Sequence, residues 1–508
     1  MNKLILSAFI VPCIFSCSCS HRTAHDVIKN DLRAPAYPLV TIDPYTSAWS
    51  ASDTLYDSSV QHWTAKEFPF LGVLKVDGVP YRFMGVEEVE MTPLVPTSEQ
   101  GDWTGRYTTE KPASDWTSVS FDDSKWKSDR GAFGTKENEP TAKTQWGTPN
   151  IWVRRTVNID RDIADLPVYL EFSNDDDAVF YINGVEAYST GSTCNKNKIV
   201  KLSGAARKAL KEGENLISAE CVNPVGNGLL DFGLLIPKNL HTVFDNTAVQ
   251  TSVDVQATQT HYTFTCGDVD LALSFSAPMF MDDLDLLSRP VNYVSYDVNS
   301  TDGKAHDVEI YFEASPRWAL DQPYQASTTE AYEKDGLVFL KSGSKDQNIL
   351  AKTGDHVRID WGHFYMSAPV GNVSYGVGSG EELRANFVNG TKLSEKVTGE
   401  NSDGQMALVC DLGNVREAAG KIMVGYDDIY SIQYFGENLR PYWNRRGDKT
   451  IESQFAAANA EYEQLIDRCY AFDKKLMEDA AAAGGKKYAE LCALAYRQIL
   501  AAHKLVVS

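Results

Sequence analysis

Between Gly425 and Gly447 the chain reads GYDDIYSIQYFGENLRPYWNRRG, a density of side chains suited to a small-molecule site. Asp427 and Asp428 are adjacent carboxylates, the groups that acid–base cleavage uses in pairs. Tyr430, Tyr434, Tyr442 and Trp443 offer aromatic walls, and Arg445 with Arg446 offers a fork for a carboxylate. Substrate contact is expected at Tyr434, Trp443 and Arg445. The same stretch also reads as a linker from sheet to helix, with its aromatics buried at a junction and its arginines solvated. A second candidate is DWGHFY, Asp360–Tyr365, where His363 is either a base or a packed strand residue. The run Met281-Asp282-Asp283-Leu284-Asp285 reads as a solvated turn capping a strand. Asn174, Asp175, Asp176 and Asp177 carry the oxygen ligands calcium prefers, but successive strand residues face opposite ways, which favours an acidic turn. No GxSxG nucleophile elbow occurs, which leaves a paired-carboxylate route open.

These groups need a scaffold. The chain has 508 residues, too many for one ordinary core, so two to four domains are expected. Hydrophobic residues make up 43% and charged residues 23%, the balance of a globular protein. A net charge of -21 repels phosphate backbones and argues against nucleic acid as a partner. The start is basic through Lys3, then apolar from Leu4 to Phe15, the pattern of an export signal too short to span a bilayer permanently. IFSC, Ile14–Cys17, resembles a bacterial lipobox and places a lipid on Cys17, with Cys19 as the second register and an ordinary cleaved signal as the other reading. Residues 1–19 are thus a lipoprotein signal and 20–34 a tether. The expected location is exported, anchored by lipid at the outer membrane, periplasm or cell surface. The remaining cysteines, 194, 221, 266, 410, 469 and 492, show no CxxC and no histidine at ligand spacing, so no metal site is expected. They read as buried thiols, with a Cys194–Cys221 bridge as the alternative.

From Pro35 to Pro93 the text is strand-like, and LGVLKVDGVPYRFMG is a hairpin about an Asp-Gly turn. Beyond Glu99 the style changes to WTSVSFDDSKW, then IWVRR, DDDAVFYINGV and LKEGENLISAE. That order resembles the galactose-binding-like jelly roll, over roughly Asp102 to Leu235. After His241 the first style returns. A β-sandwich of residues 35–98 and 240–445, split by an insertion at 99–239, follows from this reading. From Thr450 the period is helical, with Phe455, Tyr462, Leu465, Ile466, Cys469, Phe472 and Leu476 on one side. A Gly-Gly stop precedes a last helix whose apolar residues are Tyr488, Leu491, Cys492, Ala495, Ile499, Ala502 and Val506. Residues 446–508 read as the first αα-hairpin of a larger helical domain, its last helix packed against helices beyond Ser508.

PLVTIDPYTSAWS, the hairpin above, DLDLLSRPVNYV, GYDDIYSIQYFG and GGKKYAELCALAYRQILAAHKLV together resemble the glutaminase A family of secreted or cell-surface proteins, fungal and Bacteroides-type. The resemblance implies hydrolysis of L-glutamine to L-glutamate and ammonia with no organic cofactor. The partners it implies are a small-molecule amide and, through the lipid, a membrane. It also implies a mainly β fold, in which the sandwich precedes an (α/α)6 toroid similar to six-hairpin glycosidases. This chain holds only the first hairpin of such a toroid, and much of the toroid's mouth lies outside it. Two other readings stand beside this one. One is a carbohydrate-active enzyme of glycoside hydrolase type. The other is a non-catalytic surface protein that binds glycan through exposed tryptophans such as Trp116 or Trp146.

Overall fold

The computed structural model describes residues 27–507 apart from 90, 139–140, 239–241, 324, 353–357 and 394–403. Cys17, the signal at 1–19 and the first part of the tether lie outside the described residues. The fold is mainly β, with 43% strand and 17% helix. It divides into two compact units: Met1–Glu87 with Thr242–Ser508, and Glu88–His241.

The first unit is built on two antiparallel sheets. One has eight strands, in the order Val249–Val255, Gln259–Cys266, Val269–Ser276, Val291–Ser300, Glu417–Asp427, His363–Pro369, Leu337–Ser344 and Ser327–Lys334. The other has five: Val373–Gly378, Gln405–Val415, His306–Ala314, Phe70–Val76 and Val79–Met84. The hairpin between the last two turns at Asp77 and Gly78, both at positive φ, the geometry that Asp-Gly supplies cheaply. Alternation along the large sheet decides its partners. Val294, Val338, Leu340, Phe364, Met366, Ile422 and Val424 face the core between the sheets, with Phe70, Leu74, Ile310 and Phe312. Their neighbours Tyr293, Leu337, Phe339, Tyr365 and Met423 face the other way. A sheet apolar on both faces needs a second cover.

The C-terminal helices supply it. Ile451–Ala460 and Tyr462–Gly484 place Phe455, Ala458, Tyr462, Leu465, Ile466 and Cys469 on that outer face. The helical stretch expected to be continuous from Thr450 is interrupted at Glu461. Gly485, at φ 82, ends the long helix, and Lys486–Ala501 runs back. The face of this last helix differs from the expected one. Its buried residues are Ala489, Glu490, Ala493, Leu494, Arg497 and Ala501, packed against the long helix and the sandwich. Tyr488, Leu491 and Ile499, read as the packing face, are about half exposed. The polar Glu490 and Arg497 conceal the inner face from a periodicity argument: buried, the Glu490 carboxylate accepts the Asp31 N–H, and the Arg497 guanidinium donates to Thr41 and Leu39.

The second unit packs two six-stranded sheets around its own core of Phe133, Ile151, Val153, Leu170, Phe172, Phe180, Ile217, Phe232 and Leu234. Its boundary lies at Glu88 rather than 99, because Met91–Val95 pairs with Leu229–Pro237 and belongs to its sheet. The run from Asn174 to Asp177 crosses from one sheet to the other, ending strand Tyr169–Asp175 and opening strand Asp177–Ile182. No group of three or more metal-ligating side chains occurs among the described residues. Trp116 and Trp146 are buried, at 7% and 3% exposure, so neither is an exposed platform for glycan. Cys194 and Cys221 are both free thiols, and the bridge between them is not formed.

Candidate functional site

Three distant pieces of the first unit converge on a charged cluster. The first is the turn Asp43-Pro44-Tyr45-Thr46. The Asp43 carboxylate accepts the N–H groups of Tyr45 and Thr46, each at 2.9 Å, and Pro44 presets the backbone for the turn. The second is the end of strand Glu417–Asp427. Here Gly362 allows two backbones to touch: a Cβ at this position falls 2.1 Å from the Asp427 carbonyl oxygen. The indole of Trp361 then donates to the carbonyls of Asp428 and Tyr430, both at 2.9 Å. The third is the tail after the last helix, which delivers Lys504.

The Lys504 ammonium sits between two carboxylates. It lies 2.8 Å from Asp428 Oδ2 and also pairs with Asp43 Oδ2. Ser431 Oγ donates to the same Asp428 oxygen at 2.7 Å, and Tyr45 OH donates to the Ser431 carbonyl at 2.7 Å. The Tyr45 ring meets Trp361 edge-on at 5.5 Å. Burial alone lowers a lysine pKa, but Asp428 and Asp43 outweigh it, and the Lys504 value is raised. Burial, with Asp43 and Asp428, pushes the Tyr45 phenol up to about 12. Asp428 Oδ1 and Thr46 Oγ1 are buried with no hydrogen-bond partner. Beside the Asp43 turn, His62 Nε2 donates to the Pro44 carbonyl at 2.8 Å. Burial lowers the His62 pKa to about 4, so the ring is neutral. Trp63, 57% exposed, donates to the same carbonyl.

The adjacent carboxylates do not act as a pair. Asp428 turns inward to Lys504 and Ser431. Asp427, the last residue of the strand, has a different partner: its carboxylate accepts the Ile429 N–H at 3.0 Å. Burial raises the Asp427 pKa, which favours a held proton. The other expected residues scatter. Tyr434 is 51% exposed on the hairpin Ile432–Tyr434 and Glu437–Leu439, beside the fully exposed Phe435. Trp443 is 1% exposed and belongs to the core beneath the helices, so it is no wall of an open site. Arg445 stacks on Tyr442 and forms an ion pair with Asp285 at 2.7 Å. His363 is packed on its strand, and burial lowers its pKa to about 4. The acidic run caps a short helix rather than a strand: Asp283 accepts the Leu286 N–H, while Asp282 meets Arg468.

Asp43, Tyr45, Ser431 and Lys504 were not legible as site residues. The one local signal is a lysine inside the apolar tail AAHKLVV. Chemically, the cluster holds a lysine whose charged form is favoured by Asp43 and Asp428, and beside it a carboxyl, Asp427, whose pKa burial raises. Burial pushes the thiols of Cys221, Cys266 and Cys469 up to about 12, so none of these is a thiolate nucleophile.

Residues 12–96 match a family model described as a domain of unknown function, DUF4964, and residues 258–479 match another, DUF5127. Glutaminase A of Aspergillus oryzae (strain ATCC 42149 / RIB 40) is 28% identical over 282 residues, covering 51% of this chain and 39% of the relative. The chain therefore spans about two fifths of that relative's length. Among solved structures, a Bacteroides uniformis beta-glucuronidase superposes at TM-score 0.25 and 13% identity, over 45% of this chain and 32% of that chain. A Ruminococcus gnavus β-glucuronidase superposes at TM-score 0.25 and 13% identity, over 57% and 47%. Superpositions this partial carry no argument about fold or activity. The supported statement is a loose one: a mainly β chain with two domains of undefined function and a sequence likeness to glutaminase A.

Proposed function

We propose that this chain is the N-terminal part of a cell-surface glutaminase, which adds water to the side-chain amide of L-glutamine and releases L-glutamate and ammonia. The observation that carries the reading is the 28% identity to glutaminase A over 282 residues. On this reading Asp427, with its raised pKa, protonates the leaving amine. Asp428, fixed by Lys504 and Ser431, holds the turn on which Asp427 sits. Tyr434, exposed on its hairpin, and Arg445, paired with Asp285, are the candidates for substrate contact on this reading. The unit Glu88–His241 is an inserted galactose-binding-like jelly roll, and Ile451–Ala501 opens a helical six-hairpin domain. Cys17 carries the lipid that holds the protein at the cell surface.

The test is release of ammonia and glutamate from L-glutamine by the polypeptide of the natural open reading frame, with this chain alone in parallel. Activity of the natural polypeptide, abolished in Asp427→Asn, supports the reading and the assigned acid. Activity that survives Asp427→Asn keeps the glutaminase and removes Asp427 from the chemistry. A folded natural polypeptide that releases sugar from oligosaccharides and no ammonia from glutamine overturns the reading in favour of a glycoside hydrolase.

A further inference from the structure

We propose that Lys504 is a positioning residue that ties the seating of the last helix to the shape of the Asp43 and Asp428 turns. The inference goes beyond the hydrolytic reading and stands without it. The last helix is registered on the sandwich at two points. Arg497, fully buried, donates to Thr41 Oγ1 at 2.8 Å and to the Leu39 carbonyl at 3.3 Å. Beyond the helix end at Ala501, Lys504 reaches Asp43, two residues past Thr41. The same segment then adds a short antiparallel rung: Tyr442 N–H donates to the Leu505 carbonyl at 3.0 Å, and Pro441 pairs with Val506.

Lys504 therefore adds an ionic link to three segments that also meet through Tyr45 and Ser431, Arg497 and Thr41, and Tyr442 and Leu505. It holds the Asp43 turn on one side and the Asp428 turn on the other. Through the Ser431 hydroxyl it also holds the base of the hairpin that displays Tyr434 and Phe435. The balance of charge is the device. Two carboxylates and one ammonium meet at a lysine whose side chain is 13% exposed. Without the ammonium, Asp43 and Asp428 lose the cation they share, with Tyr45 beside both, Ser431 on Asp428 and the neutral ring of His62 beside the Asp43 turn. Like charges at that burial repel, and the turns separate.

The experiment is hydrogen exchange of the backbone in peptides covering 41–47 and 429–440, in the full chain, at pH 6 and pH 8, corrected for intrinsic rates. Lys504→Met is expected to speed exchange in both peptides by about tenfold at both pH values. Lys504→Arg is expected to match the wild type. Asp43→Asn/Lys504→Met, which restores the net charge of the cluster, is expected to slow exchange back toward wild type. A purely steric role predicts no rescue by Asp43→Asn. Equal exchange in Lys504→Met and wild type at both pH values overturns the proposal, and so does a double variant as loose as the single one. Where Lys504→Met does not fold, Lys504→Arg and the double variant decide: fast exchange in both overturns the proposal.

Discussion

Gly362 is where a single atom is decisive. It stands at φ +74, and an added Cβ meets the Asp427 carbonyl oxygen at 2.1 Å, a contact no side chain sustains. Gly362→Ala must push the Asp427–Ser431 turn away from the Trp361 loop, breaking the two indole hydrogen bonds. The expected loss is about 2–4 kcal/mol by denaturant unfolding, larger than a surface substitution gives. His62 sets a second expectation. Burial depresses its folded pKa to about 4, below the 6.5 of a free imidazole. The unfolded chain thus takes up a proton before the folded one does. Stability present above pH 6.5 is lost as the pH falls from there to about 4. His62→Gln is expected to flatten that slope in a series of unfolding midpoints. The flattening is partial, because His363 is depressed to the same extent and acts in the same direction.

At the scale of elements, the long helix Tyr462–Gly484 is seated by a carboxyl group in a place that disfavours charge. Asp473 is fully buried; Thr258 donates to it through N–H at 2.8 Å and through its hydroxyl at 2.9 Å. Burial raises its pKa to about 7, against opposing help from Thr258 and Arg497. Here the sign is opposite to that of His62. The folded protein keeps a proton that the unfolded chain releases near 3.8, so stability falls as the pH rises from about 4 to about 7. Asp473→Asn retains an acceptor for the Thr258 N–H and removes the charge. It is expected to raise the melting temperature by a few degrees at pH 8 and to leave it unchanged at pH 5. These same elements show what the sequence can reveal. Turn chemistry at Asp77-Gly78 and Asn183-Gly184, and the helical period after Thr450, mark strands and helices because the signals are local. The face of the last helix was not legible, because Glu490 and Arg497 are polar yet buried, and their partners, Asn30, Asp31, Thr41 and Leu39, lie more than four hundred residues away. The Lys504 cluster was hidden for the same reason: Asp43 and Lys504 meet across 461 residues. The acidic pair was legible as two carboxylates, but not that Asp428 is held by Lys504 and Ser431 while Asp427 accepts the Ile429 N–H.

At the scale of the molecule, the first unit closes around the place where the second leaves it. Glu87 is the last residue before the second unit, and its carboxylate accepts the N–H groups of Val243 at 2.8 Å and Phe244 at 2.8 Å, just after the chain returns. Arg384, which pairs with Glu313, lies 3.5 Å from the same carboxylate. Arg82 and Ala248 exchange a further backbone bond across the gap. The two ends are thus held together by contacts inside the first unit, and closing them costs only the entropy of a short loop. Each unit also owns a core: Phe172, Phe180 and Phe232 in one, Phe70, Phe312 and Trp318 in the other. Replacing residues 88–241 by a short Gly-Ser link is therefore expected to leave the first unit folded. Residues 88–241 expressed alone are expected to unfold in one cooperative transition. Calorimetry of the two pieces and of the whole chain checks this. If the link-closed first unit melts more than about 10 °C below its transition in the whole chain, the Glu87 clamp does not suffice to close it.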